Sequence, residues 1–229
     1  MDKYNVYQDM SRRTGGEIYL GIVGPVRTGK STFIKRFMEL VVIPEMTDDN
    51  EKVRTIDELP QSADGKTIMT TEPKFIPDEI HFSNQETGKI RLIDCVGYLV
   101  PEAVGAIEEE KERMVKTPWS EEEIPFSKAA EIGTSKVIRE HSNLGLIITT
   151  DGSFGDIPAV NFEEALQKTV MECEKAGKPF LILVNTSRPD SQETIQFTKR
   201  LEAQYGKTVM AVNCKTMDRE DVFRIMEQL

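Results

Sequence analysis

Apolar residues along this chain fall into short continuous runs and into stripes at helical spacing. The run EIYLGIVG at 17–24 ends in glycine and predicts a buried strand. Behind it, Phe33, Ile34, Phe37, Met38 and Val41 recur on one face, which predicts a core-facing helix from Lys30 to about Val42. Pro44 is expected to stop that helix. Residues 44–71 are polar and predict irregular chain, and residues 4–13 predict a short leading helix. KFIPDEIHFS and KIRLIDCVG read as two strands of a hairpin turning through NQETGK. The polar, acidic stretch 101–126 reads as a solvated insertion.

The second half alternates more regularly. Residues 127–141 predict a helix, LGLIITT a strand, and NFEEALQKTVMECEKAG a helix closing on Gly177. PFLILVN is the next strand, and the helix after it opens with Asp190 and Glu193 in a capping-box pattern. TVMAVN and DREDVFRIMEQL supply a last strand and a last helix. Strands alternating with helices predict an α/β fold, a mixed but mostly parallel sheet with helices on both faces. The expected organisation is a leader helix within 1–17 and one domain over 18–229, carrying 101–126 as an insertion.

Composition narrows the function classes. The net charge of −10 argues against a surface built for nucleic acid or anionic lipid. No apolar run approaches the length that spans a bilayer, and the first residues lack the apolar core of a signal peptide. Cys95, Cys173 and Cys214 are odd in number and widely spaced, which speaks against a disulfide framework or a zinc site and for a reducing compartment.

The chemistry sits in GPVRTGKS at 24–31, which matches G-x-x-x-x-G-K-[S/T] between a predicted strand and a predicted helix. A chance match in a chain of ordinary composition is an event of roughly 1%. The loop Gly24, Pro25, Val26, Arg27, Thr28 and Gly29 and the helix start at Lys30, Ser31 and Thr32 are expected to wrap the phosphates of a nucleotide, through the backbone N–H of every one of them but Pro25, which has none. Lys30 should reach the β- and γ-phosphates and Ser31 should ligate Mg²⁺. Asp94, after the apolar run RLI, is the expected acid of the metal shell. D-C-V-G also matches the D-x-x-G of the GTPase-like (TRAFAC) branch of P-loop proteins, which would turn the Gly97 N–H toward the γ-phosphate. Thr70 and Thr71 lie where such domains place a threonine that senses γ-phosphate and Mg²⁺.

Two positions depart from the GTPase pattern. Tyr98 follows D-x-x-G where a water-orienting Gln is usual, so turnover is expected to be slow. Arg27 either supplies positive charge to the transition state or is a solvated loop arginine. The strand LILVN ends in Asn185, but the Asp of Asn-Lys-x-Asp, which accepts from guanine, is replaced by Arg188. Guanine preference is therefore not expected, and ATP becomes the default nucleotide. Arg188 either stacks on adenine or faces solvent. Asn185 is expected to brace the phosphate loop.

The segments GEIYLGIVGPVRTGKSTFIKRFMELVVIP, DELPQSADGKTIMTTEPKFIP, RLIDCVGY, TPWSEEEIPFSKAAEIGTSKVI and IITTDGSFGDIP together closely resemble the stage IV sporulation protein A family, over nearly the whole chain. The resemblance implies a GTPase-related fold turned to ATP, with hydrolysis coupled to self-assembly of the basement layer of the spore coat. It places the Walker A residues on Gly24 to Ser31, the sensing threonines on Thr70 and Thr71, and the Walker B acid on Asp94. It implies work in the mother-cell cytoplasm at the forespore outer surface. Implied partners are stage V sporulation protein M, a small membrane protein, and other coat morphogenetic proteins, so that membrane contact is indirect. Members of the family continue into further domains that are absent from this chain. A GTP-dependent switch, or a module that binds nucleotide without turnover, are the competing readings.

Overall fold

The structure is a computed structural model that describes residues 17–46, 48–59, 74–76, 81–82, 86–87, 89–103, 107–108 and 111–229. Its centre is a sheet whose strands are β1 (Glu17–Val23), β2 (Lys74–Ile76), β5 (Lys89–Asp94), β10 (Leu144–Thr150), β11 (Phe180–Asn185) and β12 (Val209–Val212). Across the sheet the order is β12-β11-β10-β1-β5-β2. The pairs β1·β5, β1·β10, β10·β11 and β11·β12 are parallel, and β2 joins β5 antiparallel. This is a mostly parallel sheet with one antiparallel edge, the architecture of a GTPase-like P-loop domain.

The continuous apolar runs are explained by the two faces of the sheet. In β11, Leu181 and Leu183 pack on one side, and Ile182 and Val184 on the other. The first side is covered by α1 (Lys30–Phe37), through Phe33, Ile34 and Phe37, and by α6 (Arg219–Gln228), through Val222, Ile225 and Met226. The second is covered by α4 (Glu163–Lys175), through Leu166 and Val170, and by α5 (Gln192–Tyr205), through Leu201. The turn after α3 (Phe126–Lys136) adds Val137 and Ile138 to that side. A strand buried on both faces has no polar alternation to show. Each such side chain contributes about 1.5–3 kcal/mol by leaving water.

Several expectations are corrected. The helix predicted to about Val42 is α-helical only to Phe37; Met38–Val42 is a π-type turn and Ile43–Glu45 a 3₁₀ turn. Pro44 lacks an N–H and its ring crowds the carbonyl one turn back, so the ladder widens before it rather than stopping cleanly. Residues expected to be irregular contain α2, Asp49–Glu58. Its inward contribution is Thr55, with Leu59 just beyond, while Val53 and Ile56 are exposed, too sparse a stripe to read as periodicity. The helix after β11 is capped by the Ser191 hydroxyl, which accepts from the Thr194 N–H at 3.2 Å, and not by Asp190.

The expected hairpin is present, but Glu86 and Thr87, expected within its turn, are strand. β3 (His81–Phe82) pairs with β4 (Glu86–Thr87) in the same register that pairs β2 with β5. The acidic stretch expected as a solvated insertion carries regular structure among its described residues. It contains the ribbons β6 (Ile107–Glu108) with β7 (Lys111–Glu112), and β8 (Met114–Thr117) with β9 (Ser120–Pro125). Val115 and Ile124 pack on Phe126 and Ala129 of α3 and on Val96 and Leu99, while Glu121, Glu122 and Glu123 face water. The leader helix expected within 1–17 falls almost wholly on residues 1–16, outside the described residues.

Candidate functional site

The C-terminal ends of β1, β5, β10 and β11 open onto one edge of the sheet, where ligands of parallel α/β folds collect. The loop between β1 and α1 lies there. The N-terminus of α1 has no side-chain cap and no acid in its first turn, an arrangement that suits an anion. Gly29, directly before α1, sits at φ 92°, and a Cβ on it would stand 2.3 Å from Asn185 Nδ2. Any other residue would be strained and would push Asn185 away. Arg27 holds φ 62° without being glycine, and it is exposed.

Lys30 is buried, and its Nζ donates to the Pro25 carbonyl at 2.5 Å and to the Gly24 carbonyl at 3.5 Å. Burial pulls its ammonium below the usual lysine range, opposed by the charges of Cys95 and Asp94. Asp94 ends β5, is nearly buried, and accepts from Ser31 Oγ at 3.1 Å. A hydroxyl and a carboxylate so placed are the hard oxygen donors that Mg²⁺ takes, with phosphates and water completing its shell. Among the described residues no group of three or more His, Cys, Asp or Glu side chains is placed to hold a metal unaided.

The D-x-x-G segment is joined to the phosphate loop. Val26 N–H donates to the Tyr98 carbonyl at 2.8 Å, and Tyr98 N–H to the Gly24 carbonyl at 3.3 Å. Gly97 sits at φ 94°, and a Cβ on it would lie 2.6 Å from Lys30 Nζ. Its N–H, expected to face a γ-phosphate, is instead bonded to Thr134 Oγ1 at 3.1 Å. Tyr98 packs with Val26, Val100, Phe162 and Ala165, with the Lys168 ammonium 4.8 Å from its ring centroid. Burial drives its phenol well above the usual tyrosine range.

At the other end of the loop, Asn185 Nδ2 donates to the Thr28 carbonyl at 3.0 Å, while its Oδ1 accepts from the Cys214 N–H at 3.0 Å. Thr28 Oγ1 in turn donates to the Pro25 carbonyl at 3.0 Å. Arg188 is exposed, and its backbone N–H is held by Thr186 Oγ1 at 3.1 Å. Thr186 donates to Asp151 Oδ2 at 2.6 Å, and Ser153 Oγ accepts from the Ser187 N–H at 2.8 Å. Thr134, Asp151, Ser153 and Thr186 are not marked by the sequence as site residues, and Cys214 is marked only as a free thiol. All but Thr134 lie at or just past the C-terminal ends of β10, β11 and β12, a position that could have marked them. Thr32 lies in the first turn of α1. Thr70 and Thr71 lie outside the described residues.

Fold and loop together define a P-loop nucleotide-binding domain of the GTPase-like class. The model of the family described as "Stage IV sporulation protein A, ATPase domain" matches residues 1–229, and the chain belongs to that family. It is 50% identical over 231 residues to stage IV sporulation protein A of Bacillus subtilis (strain 168), and 49% identical to that of Bacillus anthracis. In both comparisons all of this chain and 47% of the relative is covered. Against the protein of Clostridioides difficile (strain 630) the identity is 48%, covering 97% of this chain and 46% of the relative. The chain thus spans about half the length of the curated relatives it matches. Crystal structures of two SsGBP variants cover 98% and 100% of this chain, and 60% and 63% of their own, at 13% identity and a TM-score of 0.48.

Proposed function

We propose that this chain binds ATP and hydrolyses it slowly to ADP and phosphate, with Mg²⁺. The observation that carries the reading is the arrangement of Lys30, Ser31 and Asp94 around an uncapped helix N-terminus, with Ser31 Oγ 3.1 Å from the carboxylate of Asp94. The loop and α1 amides bind the phosphates, and Lys30 places a cation at their terminal end. Ser31 and Asp94 are the residues that would hold Mg²⁺, which supplies charge neutralisation at the β- and γ-phosphates when bound. The expected roles of Thr70 and Thr71 as γ-phosphate sensors belong to the same proposal.

Slow turnover follows from Tyr98. Its ring is packed against Phe162 and Lys168 and offers no amide to orient water. Arg27, exposed on the loop, is proposed to add positive charge to the transition state. The preference for ATP follows from Arg188, which stands where a guanine-reading acid would and turns a hydrogen-bond acceptor into a cation.

The relatives' name supports a role in sporulation. The proposal extends to assembly of the spore-coat basement layer by self-association, in the mother-cell cytoplasm at the forespore outer surface. Stage V sporulation protein M and other coat morphogenetic proteins are the proposed partners, through regions partly outside this chain. Among the described residues no helix is long and apolar enough to cross a membrane. Competition of ATP against GTP for the wild-type chain tests the base reading. ATP should win, and a clear GTP preference would favour the switch that the D-x-x-G motif also permits.

A further inference from the structure

The Gly97 amide has an acceptor inside the protein. It donates to Thr134 Oγ1 at 3.1 Å. The Thr134 hydroxyl has one proton and directs it to the Ala130 carbonyl, one turn back in α3, at 2.7 Å. Its oxygen is therefore a pure acceptor toward Gly97. Thr134 is 0% exposed, so water has no access to its side chain. Gly97 also lies against the Lys30 ammonium, since a Cβ on it would stand 2.6 Å from Nζ. That is the end of the site where a γ-phosphate belongs. A hydrogen bond weakens steeply away from linearity, so a single N–H serves one acceptor well.

We propose that Thr134 is a positioning residue that competes with the γ-phosphate for the Gly97 amide. It thereby sets how far the chain prefers a nucleoside triphosphate to a diphosphate. The inference rests on the reading of Gly24–Ser31 as a phosphate site. A diphosphate leaves the bond from Gly97 to Thr134 in place. A triphosphate takes the amide and leaves Thr134 its bond to Ala130 and its contact with the Cys95 thiol. The exchange is felt beyond the nucleotide, because α3 also carries Phe126 and Ala129. These pack on Val96 and Leu99 of the same loop and on Val115 of the β8–β9 ribbon. Nucleotide state is thus read out at α3 and the ribbon.

The test is calorimetric titration of the chain with Mg²⁺ and either ADP or the β,γ-imido analogue of ATP. Thr134→Val keeps the shape and removes the acceptor. It should raise the ratio of the ADP Kd to the analogue Kd by about three- to tenfold, the size of one hydrogen bond. Thr134→Ser, which keeps the acceptor, should return the wild-type ratio. An unchanged ratio in a folded Thr134→Val protein overturns the proposal. Should that variant not fold, the wild-type chain decides. The Thr134 methyl resonance should move with the analogue and stay in place with ADP, and equal spectra overturn the proposal. If wild-type chain binds neither nucleotide, the phosphate-site reading fails and takes this inference with it. Binding with an unchanged ratio refutes this inference alone.

Discussion

Asn185 spans the space between the phosphate loop and the last strand: its amide nitrogen donates to Thr28 and its amide oxygen accepts from Cys214, each at 3.0 Å. The side chain is buried, so both bonds are made in place of water. An Asn at the end of this strand is commonly associated with reading a base; here both ends of its amide are engaged by backbone. Asn185→Ala leaves the Thr28 carbonyl and the Cys214 N–H without it and should cost about 1–3 kcal/mol of folding stability. Denaturant melts of the variant measure this directly, and nucleotide affinity should fall with it because the loop loses its brace.

Arg188 is exposed at the start of the loop that follows β11, and the backbone there is fixed by Thr186 and Ser153. Replacing only the side chain should leave that backbone as it is. Arg188→Asp restores an acceptor for the guanine N1–H and amine, and should move the ratio of ATP to GTP affinity toward GTP by about tenfold, the worth of one charged hydrogen bond. Competition binding with the two nucleotides reads the change. No movement of the ratio would mean that this position does not face the base.

The cysteines predict a pH dependence. Burial pushes the Cys95 thiol up to about 11 and the Cys173 thiol up to about 12, and raises Cys214 as well. An unfolded cysteine titrates near 8.5. Between that value and the folded one, the unfolded chain has lost protons that the folded chain keeps. The contribution of the thiols is therefore constant below about pH 8 and falls as pH rises through 9 to 11. Urea midpoints across that range should show the decline, and Cys95→Ala should make it shallower. At pH 8 the three thiols of the folded chain should resist alkylation.

Much of the fold was legible because its strands are buried on both faces. LGLIITT and FLILVN have no polar residue facing solvent, so their length and flanking turns identified them. The phosphate loop was legible because its glycines, Lys30 and Ser31 stand at fixed spacing between an apolar strand and an amphipathic helix. Helix α2 was not, because it buries little beyond Thr55 and its apolar residues Val53 and Ile56 point outward. The ribbon β8–β9 was hidden by Glu121 to Glu123, which face water while Val115 on the opposite strand supplies the packing. The cap at Ser191 was misread by one residue, since Asp190 beside it has the same chemistry. The partner of Gly97 was beyond reach from sequence, because Thr134 lies 37 residues away on an element whose placement only the tertiary fold decides.

Lys30, Ser31 and Asp94 are proposed above to turn over ATP. Phosphate release from saturating ATP measures it most directly, in wild-type chain and in Lys30→Ala, with Mg²⁺ and after its removal by chelation. The wild-type chain should release phosphate slowly and only with Mg²⁺, and Lys30→Ala should lose that release while keeping its fold. Bound ATP with no release, or release that persists equally in Lys30→Ala, would contradict the proposal.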